Sequence, residues 1–144
     1  MILLDTNVVS EPLRPNGDPA VLAWLDAQIV ETLYLSAISL AELRYGVAVL
    51  PDGKRKDSLR TSLEGRIVPV FGPRILPFDT AAAEAYAVLR ARARSSGKAI
   101  AAIDGYIVAI AAAKGFAVAT RDASPFEAAG VPVINPWKHP LTPR

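Results

Sequence analysis

The chain has 144 residues, of which 51% are hydrophobic and 21% charged; a chain near this length buries roughly 68–70% of its unfolded surface, so one domain with an ordinary core is expected. Cysteine is absent and histidine occurs once, as His139; this excludes disulfides, zinc–thiolate sites, iron–sulfur clusters and His-rich zinc sites, and leaves any catalysis to carboxylates, hydroxyls, Lys and Arg. Sixteen basic against 14 acidic residues give a net charge of +2, which permits nucleic-acid binding without arguing for it.

Met1–Leu4 is a short apolar run that stops at Asp5 and reads as a buried strand. It lacks the basic region and long apolar stretch of a signal peptide, and no run in the chain approaches the ~20 apolar residues of a membrane span, so a cytoplasmic protein without membrane contact is expected. Asp5-Thr6-Asn7 favours a turn or helix cap, and the proline-rich stretch from Glu11 to Pro19 reads as a loop. Pro19 then opens a short helix with Val21, Leu22, Trp24 and Leu25 on its apolar side. Leu33–Leu35 is strand-like. Ser39, with Glu42 three positions on, has capping-box spacing and predicts a helix from there to about Leu50.

After Pro51-Asp52-Gly53, a basic amphipathic helix is predicted from about Lys54 to Arg66. Ile75–Phe78 forms a third strand, and Asp79-Thr80 caps a helix from Ala81 to about Ser95. A further helix starts at Ile103-Asp104, apolar on most sides, and stops at Gly115. Phe116–Thr120 and Val131–Ile134 are the last strands, with one helical turn at Phe126–Ala129 between them. Strands alternating with helices predict an α/β domain with a largely parallel sheet.

In parallel α/β sheets, ligands bind beyond the carboxyl ends of the strands. Asp5 and Asp122 follow strands directly, while Glu42 and Asp104 lie at or near helix starts, which sit at the same edge. Four carboxylates from distant parts of the chain therefore converge on one cleft in this reading. For any one acid taken singly, helix capping explains the position well, and Asp79 fits that role. Asp104 and Asp5 fit it less well, because apolar residues surround them and a buried ionised acid needs a partner or a cation. Converging carboxylates repel one another; with oxygen donors only, the matching cation is hard, Mg²⁺ or Mn²⁺. The other acids, among them Glu11, Asp18 and Glu127, are assigned to loops or polar helix faces without a role.

Ile2-Leu3-Leu4-Asp5-Thr6-Asn7-Val8, Ser39-Leu40-Ala41-Glu42-Leu43, Asp104-Gly105-Tyr106-Ile107-Val108-Ala109 and Ala119-Thr120-Arg121-Asp122 occur in the order found in PIN-domain ribonucleases. The ending from Phe126 to Trp137 resembles the VapC and FitB branch, the toxin halves of bacterial toxin–antitoxin pairs. The resemblance covers residues 1–137 as a single PIN-like domain and leaves 138–144 as a short tail. It implies a three-layer α/β/α fold and Mg²⁺- or Mn²⁺-dependent endonucleolytic cleavage of RNA, transfer RNA being the family-based expectation and messenger RNA the alternative.

Matched position by position, Asp5, Glu42, Asp104 and Asp122 correspond to the family's acidic quartet. On this reading, Asp5 and Asp104 ligate the main metal, Glu42 holds it directly or through water, and Asp122 serves a second metal or the attacking water. Thr6 matches the family's hydroxyl beside the first acid. Many relatives have Asn where this chain has Asp122, and an Asp where it has Pro125; one firmly held metal and a weaker second one are therefore expected. The resemblance also implies a small cognate antitoxin, and a homodimer. Leu22, Trp24, Leu25, Leu43, Tyr45 and Val47 are candidates for burial against that antitoxin, or for the domain's own core.

Two basic concentrations, Lys54-Arg55-Lys56 with Arg60 and Arg90, Arg92, Arg94 with Lys98, read first as solvated helix faces and second as contacts to an RNA backbone. Arg90 and Arg94 share a helix face that Arg92 does not. Arg121, beside Asp122, is the single candidate for touching substrate, or for pairing with a nearby acid. Two other function classes stay open. One is a non-catalytic PIN module that binds RNA or a protein partner, against which the intact quartet argues. The other is a phosphatase on a doubly wound sheet, against which Asn7 argues, since that chemistry wants an acid there.

Overall fold

A computed structural model describes residues 1–141. Strand β1 (Ile2–Leu4) leads into helix α1 (Thr6–Ser10), a tight turn at Glu11–Leu13, and helix α2 (Pro19–Ala27). Strand β2 (Leu33–Ser36) runs directly into helix α3 (Ala37–Ala48), followed by helix α4 (Lys54–Ser62). The chain stays helical through a wider turn at Leu63–Ile67 into α5 (Val68–Phe71), beyond the expected end at Arg66. Strand β3 (Ile75–Leu76), helices α6 (Thr80–Ser95) and α7 (Ala102–Lys114), strand β4 (Ala117–Ala119), helix α8 (Ser124–Ala128) and strand β5 (Val133–Ile134) complete the order.

All strand pairings are parallel, in the order β3-β2-β1-β4-β5. Successive strand residues face opposite sides of a sheet, and the core divides accordingly. Leu4, Leu33, Leu35 and Ala119 join Val21, Trp24, Leu43 and Phe71 on one face. Leu3 and Val118 join Leu89, Ile107, Val108 and Phe126 on the other. Helices α1–α5 thus cover one face and α6–α8 the other, which gives the expected α/β/α three layers. The chain winds outward from β1 through β2 to β3, then returns to the far side of β1 as β4. The winding reverses beside β1, between it and β4, and such a switch point leaves a crevice at the carboxyl ends of the strands.

Local chemistry explains most boundaries. Asp79 caps α6 by accepting from the Ala82 N–H at 2.9 Å, and Gly115 ends α7 in the left-handed region at φ 71°. The start of α3 departs from the expectation. Its cap is Ser36, whose Oγ accepts from the Ser39 N–H at 2.9 Å. Strand β2 passes into the helix without a loop, so Ser39 lies inside the first turn and is fully buried. Glu42 is thereby released from capping.

Glu11 also departs from its assignment to a solvated loop: it is 5% exposed. Its Oε1 accepts from the Asp18 N–H at 2.8 Å and its Oε2 faces Arg14 at 3.5 Å, which closes the proline-rich loop around it. Of the apolar residues weighed for a partner, Trp24, Leu43 and Val47 are buried in the core, Leu25 packs against it, and Tyr45 is 70% exposed. Among the described residues no helix is long and apolar enough to cross a membrane.

Candidate metal centre

Asp5 stands where β1 ends and α1 begins. Its backbone N–H donates to the Ala119 carbonyl at 2.9 Å, continuing the register in which Leu4 lies beside Ala119. That register sets Thr120 next to Asp5. The fully buried Thr120 hydroxyl donates to Asp5 Oδ2 at 2.8 Å, while Asp5 Oδ1 accepts from the Thr6 N–H at 2.8 Å and caps α1. Both carboxylate oxygens are oriented, and each keeps a lone pair for another ligand.

Glu42, on the second turn of α3, is held from the same segment. Thr6 Oγ1 lies 2.6 Å from Glu42 Oε1 and 3.0 Å from Ser39 Oγ. A hydroxyl has one proton to give, and the short contact to the carboxylate takes it; Ser39 then donates to Thr6. The Ser39 and Thr6 hydroxyls thus form a short relay ending on the Glu42 carboxylate, whose other oxygen makes no hydrogen bond among the described residues.

Asp104 lies in the first turn of α7, half-buried. Among the described residues, no hydrogen bond to its carboxylate is present. Asp122 follows β4 on an exposed loop, where its Oδ1 accepts from Ser124 Oγ at 2.9 Å and from the Ser124 N–H at 3.4 Å.

The four acids feel one another. Burial raises the Asp5 carboxyl above its ordinary value of 3.8; the hydrogen bonds from Thr120 and Thr6 oppose that rise, and the charges of Asp104 and Glu42 add to it. Burial also raises Asp104, helped by the charges of Asp122 and Glu42. Charge links the acids through Asp5 and Asp104: Glu42 acts on both, and Asp122 on Asp104. Among the described residues, no three of them stand close enough to form a ready-made coordination shell. The result is an open cluster of carboxylates at the carboxyl ends of the strands, with Asp5 and Asp104 held above their usual range.

Arg121, the candidate for substrate contact or for pairing with an acid, packs on an aromatic ring. Its guanidinium lies over the Trp137 ring at 5.2 Å from the centroid, and among the described residues it pairs with no acid. Thr120, Ser39 and Ser124 were not singled out from the sequence as supports of the acids. Only Thr120 carried a signal, as a hydroxyl ending a strand immediately before Arg121-Asp122. Among the described residues, the Asn7 Oδ1 is buried without a hydrogen-bond partner.

Residues 2–131 match the PIN domain family. The chain is 58% identical over 138 residues to the VapC ribonuclease Y4jK of Sinorhizobium fredii, covering 96% of this chain and 99% of that one. It is 57% identical over 137 residues to the toxin FitB of Neisseria gonorrhoeae, covering 95% and 99%. Among solved structures, the crystal structure of FitAcB from Neisseria gonorrhoeae superposes with a TM-score of 0.93 at 56% identity, covering 96% of this chain and 99% of that one. The acidic cluster at the switch point of an all-parallel sheet, read with these likenesses, identifies the chain as a member of the PIN-domain family, of the VapC and FitB type.

Proposed function

We propose that this protein is a Mg²⁺- or Mn²⁺-dependent endoribonuclease and the toxin of a toxin–antitoxin pair, with residues 1–137 as the PIN unit and 138–144 as a short tail, of which 142–144 lie outside the described residues. The observation that carries this reading is Asp104: a half-buried carboxylate, raised by burial and by the charges of Asp122 and Glu42, and without a hydrogen bond among the described residues. Such a group is stabilised by a cation, and an all-oxygen donor set selects a hard one. The names of the similar proteins, a VapC ribonuclease and a toxin, point the same way.

Asp5 and Asp104 would hold the metal, with Glu42 on the near side and Asp122 on the exposed side. Bound there, the ion would supply an activated water and charge neutralisation at the scissile phosphate. The rest is the work of the chain. Thr120 and the Thr6 N–H fix both oxygens of Asp5, so little ordering remains when a ligand arrives. The Ser39–Thr6 pair turns Glu42 inward. Asp122, solvated and with its carboxylate bonded only to Ser124 among the described residues, is free to adjust; it is the natural position for a weaker second ion or for orienting a water. A small antitoxin, a homodimer and transfer RNA as substrate belong to the same proposal, and exposed Tyr45 and Ile103 beside Glu42 offer an apolar surface for a protein partner.

The test is cleavage of a mixed RNA pool by the purified chain, free of any antitoxin, with Mg²⁺ or Mn²⁺ and then with EDTA. Cleavage that requires the metal, and that a folded Asp5→Asn variant lacks, supports the proposal. A chain that binds no metal and cleaves nothing favours a non-catalytic binding module.

A further inference from the structure

A cavity of about 670 Å³ opens beside the start of α7, lined by Tyr86, Arg90, Arg94, Gly97, Lys98 and Ile100 among others. We infer that this cavity binds the RNA strand by its phosphates, next to the acidic cluster. The inference rests on the nuclease reading for its substrate, and on four observations for its place.

First, among the described residues no acid lines the cavity, while Arg90, Arg94 and Lys98 do. Arg90 and Arg94 are one helical turn apart, about 6 Å along α6, and Lys98 follows the turn that Gly97 makes in the left-handed region at φ 71°. Arg92, on another face, does not line the cavity. Second, these cations are available. Among the described residues, Arg44, Lys56 and Arg60 on α3 and α4 pair with Glu64, Asp52 and Asp57, whereas Arg90, Arg94 and Lys98 pair with no carboxylate.

Third, Arg90 is already positioned. Its guanidinium lies over the Tyr86 ring at 5.4 Å from the centroid and donates to the Tyr86 hydroxyl at 2.7 Å, leaving its other N–H groups to a phosphate. Fourth, the cavity adjoins the acids. A Cβ placed on Gly105 would meet Tyr86 at 3.0 Å and the Arg90 Cδ at 3.7 Å, so α6 presses against α7 at the residue after Asp104. The Tyr86 ring also stacks on Tyr106, with centroids 4.9 Å apart. The dipole of α6 accounts for basic residues in its last turn, but not for Arg90, for Lys98 beyond the helix, or for their gathering around one cavity. The volume exceeds what a single phosphate fills, and cations spaced along a helix suit a run of phosphates.

The test is binding of a short fluorescent single-stranded oligoribonucleotide to the full chain in EDTA, followed by anisotropy across a salt series. Each phosphate contact contributes about 0.7 to the slope of log affinity against log salt for a single strand. The triple variant Arg90→Gln/Arg94→Gln/Lys98→Gln is expected to lose at least about tenfold in affinity at low salt and about 2 from the slope. Arg94→Lys should keep most of both, and Lys54→Gln/Arg55→Gln on α4 should change neither. Should the triple variant misfold, the single variants decide, each lowering the slope by about 0.7.

Unchanged affinity and slope in the folded variants would overturn the inference and leave the cavity to an acidic protein segment. If the wild-type chain cleaves no RNA with metal yet the salt series behaves as stated, the nuclease reading fails and the cavity stands. If it cleaves while the variants bind as wild type, the cavity fails and the nuclease stands.

Discussion

Two hydroxyl–carboxylate bonds of almost equal length hold the two strand-end acids: Thr120 to Asp5 at 2.8 Å and Ser124 to Asp122 at 2.9 Å. Their settings differ. Thr120 is 0% exposed and Asp5 7% exposed, so that bond has no competing water and fixes an acid that burial opposes. Ser124 and Asp122 are both exposed, and water replaces either partner at little cost. The site thus has a rigid half, built on β1, α1 and α3, and an adaptable half on the loop after β4. Bond length alone does not say how much a support matters; the solvent around it does.

The largest effect should come from Asp5→Asn. If Asp5 is a direct ligand as proposed, its loss forfeits several kcal/mol of charge stabilisation, and metal-dependent cleavage should fall roughly 10³-fold or more. The fold accommodates the change, since the Asn amide can donate to Thr120 Oγ1, whose proton then turns toward the Asp122 carbonyl, 3.5 Å away. Without metal the variant should be more stable than wild type near neutral pH, by about 3 °C in melting temperature for ~1 kcal/mol, because a buried charge has been removed. Cleavage assays and metal-free melting curves check the two halves of this prediction.

Thr120→Val comes next. It keeps the shape and removes the donor, leaving Asp5 Oδ2 unpaired in a buried setting at a cost of about 1–3 kcal/mol. Metal activation should shift to about 10–100-fold higher concentration, the usual effect of losing a group that orients a ligand. A Mg²⁺ titration of the cleavage rate reads this directly, and an unshifted curve would erase the contrast between the two halves.

Metal-free stability should also depend on pH. Asp5 and Asp104 titrate above the ordinary carboxylate range in the fold, so the folded chain keeps protons that the unfolded chain has released. Between that ordinary range and the raised values, the contribution of these two groups to stability falls as pH rises, and it stays low above them. Comparing the pH dependence of wild-type and Asp5→Asn unfolding isolates the Asp5 share; Thr120→Val should steepen it. The smallest effect is expected from Ser124→Ala, a change of less than about threefold in activity, since an exposed hydrogen bond exchanges readily with water.

How much of this was legible beforehand follows from the range of the interactions. Asp5 and Asp122 could be placed because each ends an apolar strand run, and the strand–helix alternation fixes which edge they share. Asp104 stood out by its apolar neighbours. Thr120 could not be assigned, because its partner lies 115 residues away and becomes adjacent only once β4 is known to lie beside β1. Ser36 and Ser39 both satisfy the local rules for a cap; the absence of a loop after β2 decides between them, and no periodicity encodes that. Glu11 reads as a loop acid because its burial comes from the Asp18 N–H folding back onto it. Arg90 and Arg94 share a face by helical spacing, but Lys98 lies beyond α6 and joins them around one cavity only through the turn at Gly97.

The central claim is that the four acids form a divalent-cation site anchored on Asp5. Melting temperature measured against Mg²⁺ or Mn²⁺ concentration, for wild type and Asp5→Asn, tests it most directly, since a ligand that binds only the folded chain stabilises it by mass action. Wild type should give a rising curve, and the variant a higher starting point with a nearly flat response. A flat wild-type curve, or parallel rises in both proteins, would contradict it.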